Sequence, residues 1–359
     1  MTTSRRTALQ LGLGSVAVAA LPFAALAQAA WPSRPLKIIV PYPAGGVNDV
    51  VARMLADHLR PMLGQAVVVD NRAGAGGTIG MDAAAKADDG HTLAFAAISP
   101  LTLNPHVMKV QYDPLKDFVA VASVMYSPVY VMATPRFKGA SFDDAIRMAK
   151  AAPGRVSIAS SGYGTLGHVM IEQIRRKSGA DLTHVPYKGG SQLITDAAGG
   201  QFDLFVANPF APLNNLIAEG KLRVLAVTGP RRLQAMPNVA TLAELGYPEA
   251  NLTSLFGFYA PASMPADHVQ RLNAAVNQIL ADKDVQEQLR KLDNVVSTGT
   301  PQQFAAVIER EFASNAKIVK EANIKAECAP VVVPAEAGTQ SFHFEAEEDG
   351  RLGFPPARE

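Results

Sequence analysis

Apolar residues along the chain follow two alternating patterns. Short runs of β-branched and aromatic residues are typical of buried strands, and stretches in which apolar residues recur every three or four positions are typical of amphipathic helices. Their alternation predicts an α/β protein. The predicted strands are 36–41, 66–70, 92–97, 119–124, 128–133, 155–160, 183–186, 203–207, 222–228 and 256–260. The predicted helices are 49–63, 76–86, 141–151, 164–178, 190–199, 210–219, 266–281, 284–292 and 301–322.

Two apolar strands that end in proline, near 129–134 and 256–261, indicate crossings between domains. A chain that crosses over and later returns builds one discontinuous and one continuous domain, with a cleft between them that suits a small-molecule site. The crossing strands are the predicted hinges. The predicted boundaries are 30–133 and 256–328 for lobe one and 134–255 for lobe two.

The two ends of the chain differ from the rest. An arginine pair precedes a short apolar stretch and several small residues, which is the order of an export signal. We predict that residues 1–29 are cleaved and that the protein works in the periplasm of a Gram-negative bacterium. A membrane anchor is the alternative, and both the twin-arginine and the general secretory route stay open.

Residues 329–359 are rich in proline and acidic residues without a period, so we predict a disordered extension.

Composition excludes several partners. The chain has 359 residues and a formal net charge of +1, so neither nucleic acid nor an anionic membrane surface is an expected partner. Hydrophobic residues make up 48% and charged residues 18%, as in globular proteins with real cores. No paired histidines at helical spacing and no cysteine cluster occur, so no metal or other cofactor is predicted. No apolar run beyond the first is long enough to span a bilayer.

The most informative segment joins the first predicted strand to the first predicted helix. It reads Tyr42-Pro43-Ala44-Gly45-Gly46-Val47-Asn48-Asp49. Small residues let backbone N–H groups approach a ligand, and a helix N-terminus carries unpaired donors and partial positive charge. The segment therefore predicts a site for a carboxylate or phosphate. The alternative is a plain connection in which Asn48 or Asp49 caps the helix.

A second glycine-rich turn, residues 71–80, is similar to a dinucleotide-binding loop. Its glycines depart from the fingerprint because Ile79 occupies the third glycine position. No acidic residue follows at the distance that a ribose contact needs. A glycine-rich helix start packed closely against its neighbours is the favoured interpretation.

A third turn, residues 160–168, brings hydroxyl groups to a helix start. The nucleophile elbow of a hydrolase is not matched, because Ala159 stands where the first glycine belongs. A serine hydrolase would need Ser160 or Ser161 beside a histidine, and nothing in the sequence joins His168, His184 or His268 to either serine. A fourth turn, residues 185–191, carries Lys188, which is either a cationic ligand contact or a solvated surface residue.

Taken in order, these turns resemble those of the periplasmic substrate-binding receptors of tripartite tricarboxylate transporters, the Bug family. The matching residues begin with Pro43-Ala44-Gly45-Gly46 with Asp49 and Arg53, Asn71-Arg72 with Gly74-Ala75-Gly76-Gly77 and Ile79-Gly80, and Asp89-Gly90-His91-Thr92-Leu93. They continue with Ser161-Gly162, Gly164-Thr165 and His168, then Pro186-Tyr187-Lys188-Gly189 and Gly200 to Asp203. The resemblance covers about residues 32 to 327. It implies a two-lobed periplasmic binding fold of type II, the Venus flytrap, with a central mixed sheet in each lobe.

The resemblance also implies a receptor rather than an enzyme. Such a receptor holds a small organic anion between its lobes and delivers it to integral-membrane permease subunits. The residues implied to bind the ligand are Tyr42, Ala44, Gly45, Gly46 and Asp49 on lobe one and Ser161, Gly162, Thr165 and His168 on lobe two. Weaker candidates, at the ends of predicted strands, are Ser99, Tyr187 and Asn208. A secreted hydrolase acting on a small carboxylate or ester is the alternative function, and a scaffold without a ligand is the third hypothesis.

Overall fold

The computed structural model describes residues 31–324. The export signal predicted at 1–29 and the extension predicted at 329–359 lie outside these residues. The strands are β1 (Leu36–Val40), β2 (Val67–Asn71), β3 (Thr92–Ala97), β4 (Phe118–Ser127), β5 (Tyr130–Ala133), β6 (Val156–Ser160), β7 (Leu182–Pro186), β8 (Leu204–Ala207), β9 (Arg223–Val227), β10 (Ser254–Pro261) and β11 (Val295–Val296). The helices are α1 (Val47–Leu63), α2 (Thr78–Ala85), α3 (Ser99–Thr102), α4 (Asn104–Val107), α5 (Phe142–Ala151), α6 (Leu166–Ser178), α7 (Gly190–Ala198), α8 (Ala211–Ala218), α9 (Ala266–Ala281), α10 (Lys283–Arg290) and α11 (Pro301–Glu321).

The strands form two mixed sheets, one in each lobe. The first sheet has the order β11-β4-β10-β3-β1-β2, parallel among β1, β2 and β3 and antiparallel at β10, β4 and β11. The second has the order β7-β6-β8-β5-β9, with β6 parallel to β7 and β8 and β5 antiparallel to β8 and β9. The predicted α/β fold with a mixed sheet in each lobe is confirmed.

The longer helices form where the apolar period predicts them. α1 buries Val51, Leu55 and Leu59 along one face against the first sheet, and it ends at Gly64, whose left-handed conformation lets its N–H bond to the Arg60 carbonyl. α11 begins with a capping box in which Thr300 and Gln303 satisfy each other's backbone N–H groups.

Apolar side chains pack on both faces of each sheet. In lobe one, α1, α9 and α10 cover one face and α2 and α11 contribute to the cluster on the other. In lobe two, α5 and α6 pack on one face and α7 and α8 on the other. Helices thus cover both faces of each sheet, which leaves the carboxyl ends of the strands as the expected place for a small-molecule site.

Two predicted boundaries need correction. β5, which we placed at the end of lobe one, pairs with β8 and β9 of the second sheet. The first crossing lies at Pro128 and Val129, where the Val129 N–H already donates to Thr228 Oγ1 of lobe two at 2.8 Å. The hinge predicted at 256–261 falls within β10, which pairs with β3 and β4 of the first sheet. The chain thus returns before Ser254.

Candidate functional site

A cavity of about 70 Å³ lies between the two lobes. Its wall comes mainly from residues at or beyond the carboxyl ends of β1, β3, β6, β7 and β8, with β10 and the first crossing completing it. This edge is where α/β sheets bind ligands, because helices begin there and the loops are free to vary. The candidate residues on the wall are Tyr42, Gly46, Ser99, Ser161, Thr165 and Asn208.

The cavity wall carries polar groups but no charge. None of the described residues that line it has an acidic, basic or histidine side chain. Three helices of at least eight residues begin at the wall, namely α1 at Val47, α6 at Leu166 and α7 at Gly190. Each helix start offers unpaired N–H groups and a partial positive charge. The wall is therefore suited to an anion that is held by main-chain donors.

Sequence reasoning missed several wall residues. They include Asn48, Val129, Leu166, Gly190, Phe210 and Phe256. The four larger apolar ones line part of the cavity with hydrocarbon, so the space suits a ligand with an apolar body as well as an anionic group. Asn48 was considered only as a helix cap, whereas the cap position belongs to Gly46.

The turn after β1 is braced by a chain of hydrogen bonds. Asp49 Oδ2 accepts the Gly45 N–H at 2.9 Å, and Asp49 Oδ1 accepts Arg53 Nε at 3.0 Å. Arg53 also donates to Asn71 Oδ1 at 3.0 Å, and Asn71 Nδ2 donates to the Tyr42 carbonyl at 3.1 Å. Burial acts to raise the pKa of Asp49, but the hydrogen bonds from Arg53, Gly45 and Asn71 outweigh it and hold that pKa below its usual value.

This brace changes the expected role of the turn. Ala44 and Gly45 are exposed and do not line the cavity, and Asp49 is buried in the brace rather than in the wall. The Gly45 N–H donates to Asp49 in this conformation, so it is not available to a ligand here. The Ala44 carbonyl accepts a hydrogen bond from Ser191 of lobe two. Of the ligand contacts predicted on lobe one, only Tyr42 and Gly46 line the cavity.

The turn after β6 is ordered by its own hydroxyl groups. Thr165 caps α6 by accepting the His168 N–H at 3.4 Å, and it donates to the Gly162 carbonyl at 2.7 Å. Ser160 Oγ accepts the Gly162 N–H at 3.2 Å. Ser161 and Thr165 line the cavity, and Gly162 does not.

Two histidines form a stacked pair behind this turn. The rings of His168 and His184 lie 4.8 Å apart, and His168 Nδ1 accepts the Gly164 N–H at 3.3 Å. Burial, with the positive charge of Arg175, lowers the pKa of His168 to about 4. Burial, with the charges of His168 and Arg175, lowers the pKa of His184 to about 3. Neither histidine lines the cavity, so His168 supports the turn rather than the wall.

The structure joins a serine to a histidine that the sequence left apart. Ser160 Oγ lies 2.7 Å from His184 Nε2. Ser160 is fully buried and absent from the cavity wall, and no carboxylate among the described residues hydrogen-bonds to His184. A nucleophile needs access to its substrate and a base held by a third group. The pair is therefore part of the packing of lobe two.

The two remaining candidates have different surroundings. The Tyr187 hydroxyl donates to Asp196 Oδ2 at 2.7 Å, and Tyr187 does not line the cavity. Asn208 does line it, and Asn208 Nδ2 donates to the Pro128 carbonyl at 2.9 Å and to Ser254 Oγ at 3.0 Å. Asn208 thus ties together the two segments by which the chain crosses between lobes.

Other chemistry finds little support in the described residues. Between residues 31 and 324, no group of three or more histidine, cysteine or acidic side chains is arranged to hold a metal ion. Over the same residues, no helix has both the length and the apolar character that a membrane crossing needs.

The comparison with known proteins agrees with the geometry. A family model described as "Tripartite tricarboxylate transporter family receptor" matches residues 51–324. The chain belongs to this receptor family. Members of the family are binding receptors rather than enzymes, which confirms the predicted class. The receptor is 38% identical to Protein BugT of Bordetella pertussis (strain Tohama I) over 298 residues, which are 82% of this chain and 91% of BugT.

Two solved structures resemble this tripartite tricarboxylate receptor closely and contain ligands. Rpa4515 of R. palustris with adipate superposes with a TM-score of 0.77 at 31% identity, over 82% of this chain and 99% of the other. MatC (Rpa3494) from Rhodopseudomonas palustris with bound malate superposes with a TM-score of 0.76 at 27% identity, over 80% of this chain and 99% of the other. Both ligands are dicarboxylates, held by proteins with this receptor's fold.

Proposed function

We propose that this receptor captures a small carboxylate in the cavity between its lobes and delivers it, in the periplasm, to the permease subunits of a tripartite transporter. The observation that supports the proposal most is the convergence of α1, α6 and α7 on a wall without charged side chains. Carboxylates are the natural partners of such helix starts. The adipate and malate in the two similar structures favour the same chemistry.

The site residues divide by role in this proposal. The direct ligand contacts are Tyr42, Gly46, Ser99, Ser161, Thr165 and Asn208. Ala44, Gly45, Asp49 and Gly162 position the two turns through the hydrogen bonds described above. His168 and Tyr187 support lobe two from behind.

Ligand capture is coupled to closure. Both lobes contribute to the wall, so a bound carboxylate contacts both only when they are close together. A ligand that binds the closed form better than the open form shifts the population toward closure. The closed form then presents both lobes to the permease at once.

Native mass spectrometry of the protein purified from its periplasm tests the proposal. We expect a co-purified small carboxylate, and we expect it to be released with unchanged mass after prolonged incubation. A released ligand without a carboxyl group would contradict the proposed ligand class. A ligand converted to product would favour the hydrolase instead. Mixing the protein with membranes that contain the permease subunits should accelerate uptake of the recovered ligand, and unchanged uptake would contradict delivery.

A further inference from the structure

One polar group on the cavity wall has no hydrogen-bond partner among residues 31–324. Asn48 is 8% exposed, and its Oδ1 is buried without a hydrogen bond to any described residue. Buried polar atoms are nearly always paired, because an unpaired one lowers the equilibrium constant for forming the folded, closed form by roughly tenfold. A ligand group that pairs with Asn48 would remove this penalty.

We propose that Asn48 makes the receptor select carboxylates that also carry a hydroxyl group. The inference rests on the proposed function, because it names the class of ligand for the same cavity. Asn48 lies in the first turn of α1, two residues after Gly46. Side chains of a helix tilt toward its N-terminus, so the Asn48 carboxamide shares the end of α1 with the main-chain donors. The ligand hydroxyl therefore belongs on the carbon next to the carboxylate or one further away.

A hydroxyl fits this position better than other donors do. An ammonium group would need an opposite charge, and none of the described wall residues is acidic. The nearest acidic residue in the chain, Asp49, already accepts hydrogen bonds from Gly45 and Arg53. A hydroxyl both donates and accepts, so it can pair with the Asn48 carboxamide whichever of its two ends faces the ligand.

Two pairs of acids that differ by one hydroxyl test the proposal. We would titrate the full-length mature protein with malate and succinate, and with lactate and propionate, by calorimetry. We expect the wild-type protein to bind the hydroxy acid of at least one pair roughly tenfold more tightly than its partner. The Asn48→Leu variant, which keeps the branch at Cγ but has no polar atom there, should reduce that ratio to about one, mainly by weakening the hydroxy acid.

Asn214→Leu is the matched control. The Asn214 Oδ1 is also buried without a partner among the described residues, but Asn214 does not line the cavity. We expect this variant to leave the ratio unchanged. Asn48→Ala, which only removes atoms, replaces Asn48→Leu if the leucine variant melts at a lower temperature than the control.

The outcomes separate the two proposals. Equal affinity for both acids of each pair would overturn the inference, as expected if a water molecule satisfies Asn48. A ratio that survives in Asn48→Leu would overturn it as well, and so would failure of all four acids to bind. In each of these cases the proposed function still stands if native mass spectrometry finds a co-purified carboxylate, and it falls if that ligand has no carboxyl group.

Discussion

Ser191 and Ala44 join the two lobes directly, because the Ser191 Oγ donates a 2.6 Å hydrogen bond to the Ala44 carbonyl. Ser191 lies in the first turn of α7 on lobe two, and Ala44 lies in the turn after β1 on lobe one. Further along the lobe interface, the Tyr130 hydroxyl of the second sheet donates to Asp293 Oδ2 of lobe one at 2.6 Å. The structure is therefore a closed form, with lobe-to-lobe contacts that do not involve a ligand.

Removal of the Ser191 hydroxyl should destabilise the closed form. We expect Ser191→Ala to raise the ligand dissociation rate by about 2- to 10-fold, since one hydrogen bond contributes about 0.5–1.5 kcal/mol. Stopped-flow fluorescence with the co-purified ligand measures this rate. Gln192→Ala is the control, because Gln192 is exposed on the same helix and makes no lobe-to-lobe hydrogen bond. An unchanged dissociation rate in Ser191→Ala would show that the contact does not hold the lobes together.

Gly189 tests closure by steric means. A Cβ on Gly189 would collide with the ring of Pro43 on lobe one. We expect Gly189→Ala to weaken ligand binding at least tenfold and to keep the protein open, which small-angle scattering with saturating ligand would detect as a larger radius of gyration. Gly220→Ala is the control, since Gly220 also has a positive φ of 70° but has no neighbour within 4 Å of a Cβ. Compaction of Gly189→Ala to the wild-type radius would count against a closed form with this contact.

The Asp49 brace should contribute stability that depends on pH. We expect Asp49→Asn to lower the free energy of unfolding at pH 7 by about 1–3 kcal/mol, because the charged acceptor of Gly45 and Arg53 is lost. The folded-state pKa of Asp49 is lowered. Its contribution is thus complete above the unfolded value of about 3.9 and is lost as pH falls through the folded value. Urea unfolding at pH 7 and pH 3 should show the difference between wild type and variant shrinking at pH 3.

The stacked histidines should make the protein less stable in mild acid. The folded pKa values, about 4 for His168 and about 3 for His184, lie below the ordinary value. The unfolded chain therefore binds protons first as pH falls below about 6.5, and the stability is lost progressively toward pH 4. We expect His168→Gln to flatten the dependence of the melting temperature on pH between pH 6.5 and 4. A wild-type melting temperature that stays constant over this range would contradict the burial of the pair.

Asn208 should hold the hinge together. Asn208→Leu removes the hydrogen bonds to the Pro128 carbonyl and Ser254 Oγ. We expect the free energy of unfolding to fall by about 1–3 kcal/mol, because both partners lose a buried hydrogen bond. Hydrogen exchange should become faster at residues 128–130 and 252–255 before it changes elsewhere. Faster exchange spread evenly over both lobes would instead indicate a general loss of stability.

The sequence predicts most of the fold because the elements are long enough to show a period. The predicted strand 92–97 has the bounds of β3, and the predicted helix 266–281 has those of α9. β11, α3 and α4 were missed because two to four residues carry no period. The first crossing was misplaced because Pro135, rather than Pro128, was taken as the end of the crossing strand. Backbone pairing decided that boundary, and pairing is not visible in one sequence.

The candidate site was predicted in part, and the reasons are local. Two small residues that the sequence singles out, Gly46 and Ser161, line the cavity, and their contact with a ligand stays a prediction. They could not indicate that Asp49 would occupy the Gly45 N–H, because that competition depends on side-chain geometry. The contact between Ser160 and His184 follows from the parallel register of β6 and β7, in which Ser160 lies opposite Pro186. The contact can be predicted only when the pairing of the two strands is known, because the motif around Ser160 does not specify it.

The proposed recognition of an anion by main-chain donors at the starts of α1, α6 and α7 has one consequence for how such receptors diversify. Every residue except proline has a backbone N–H, so mutation of a side chain does not delete this attraction for an anion. Residues such as Asn48, Phe210 and Phe256 can therefore be exchanged one at a time to accommodate a new metabolite. The attraction for the anionic group of the ligand stays the same through such exchanges. Only the contacts with the rest of the ligand change.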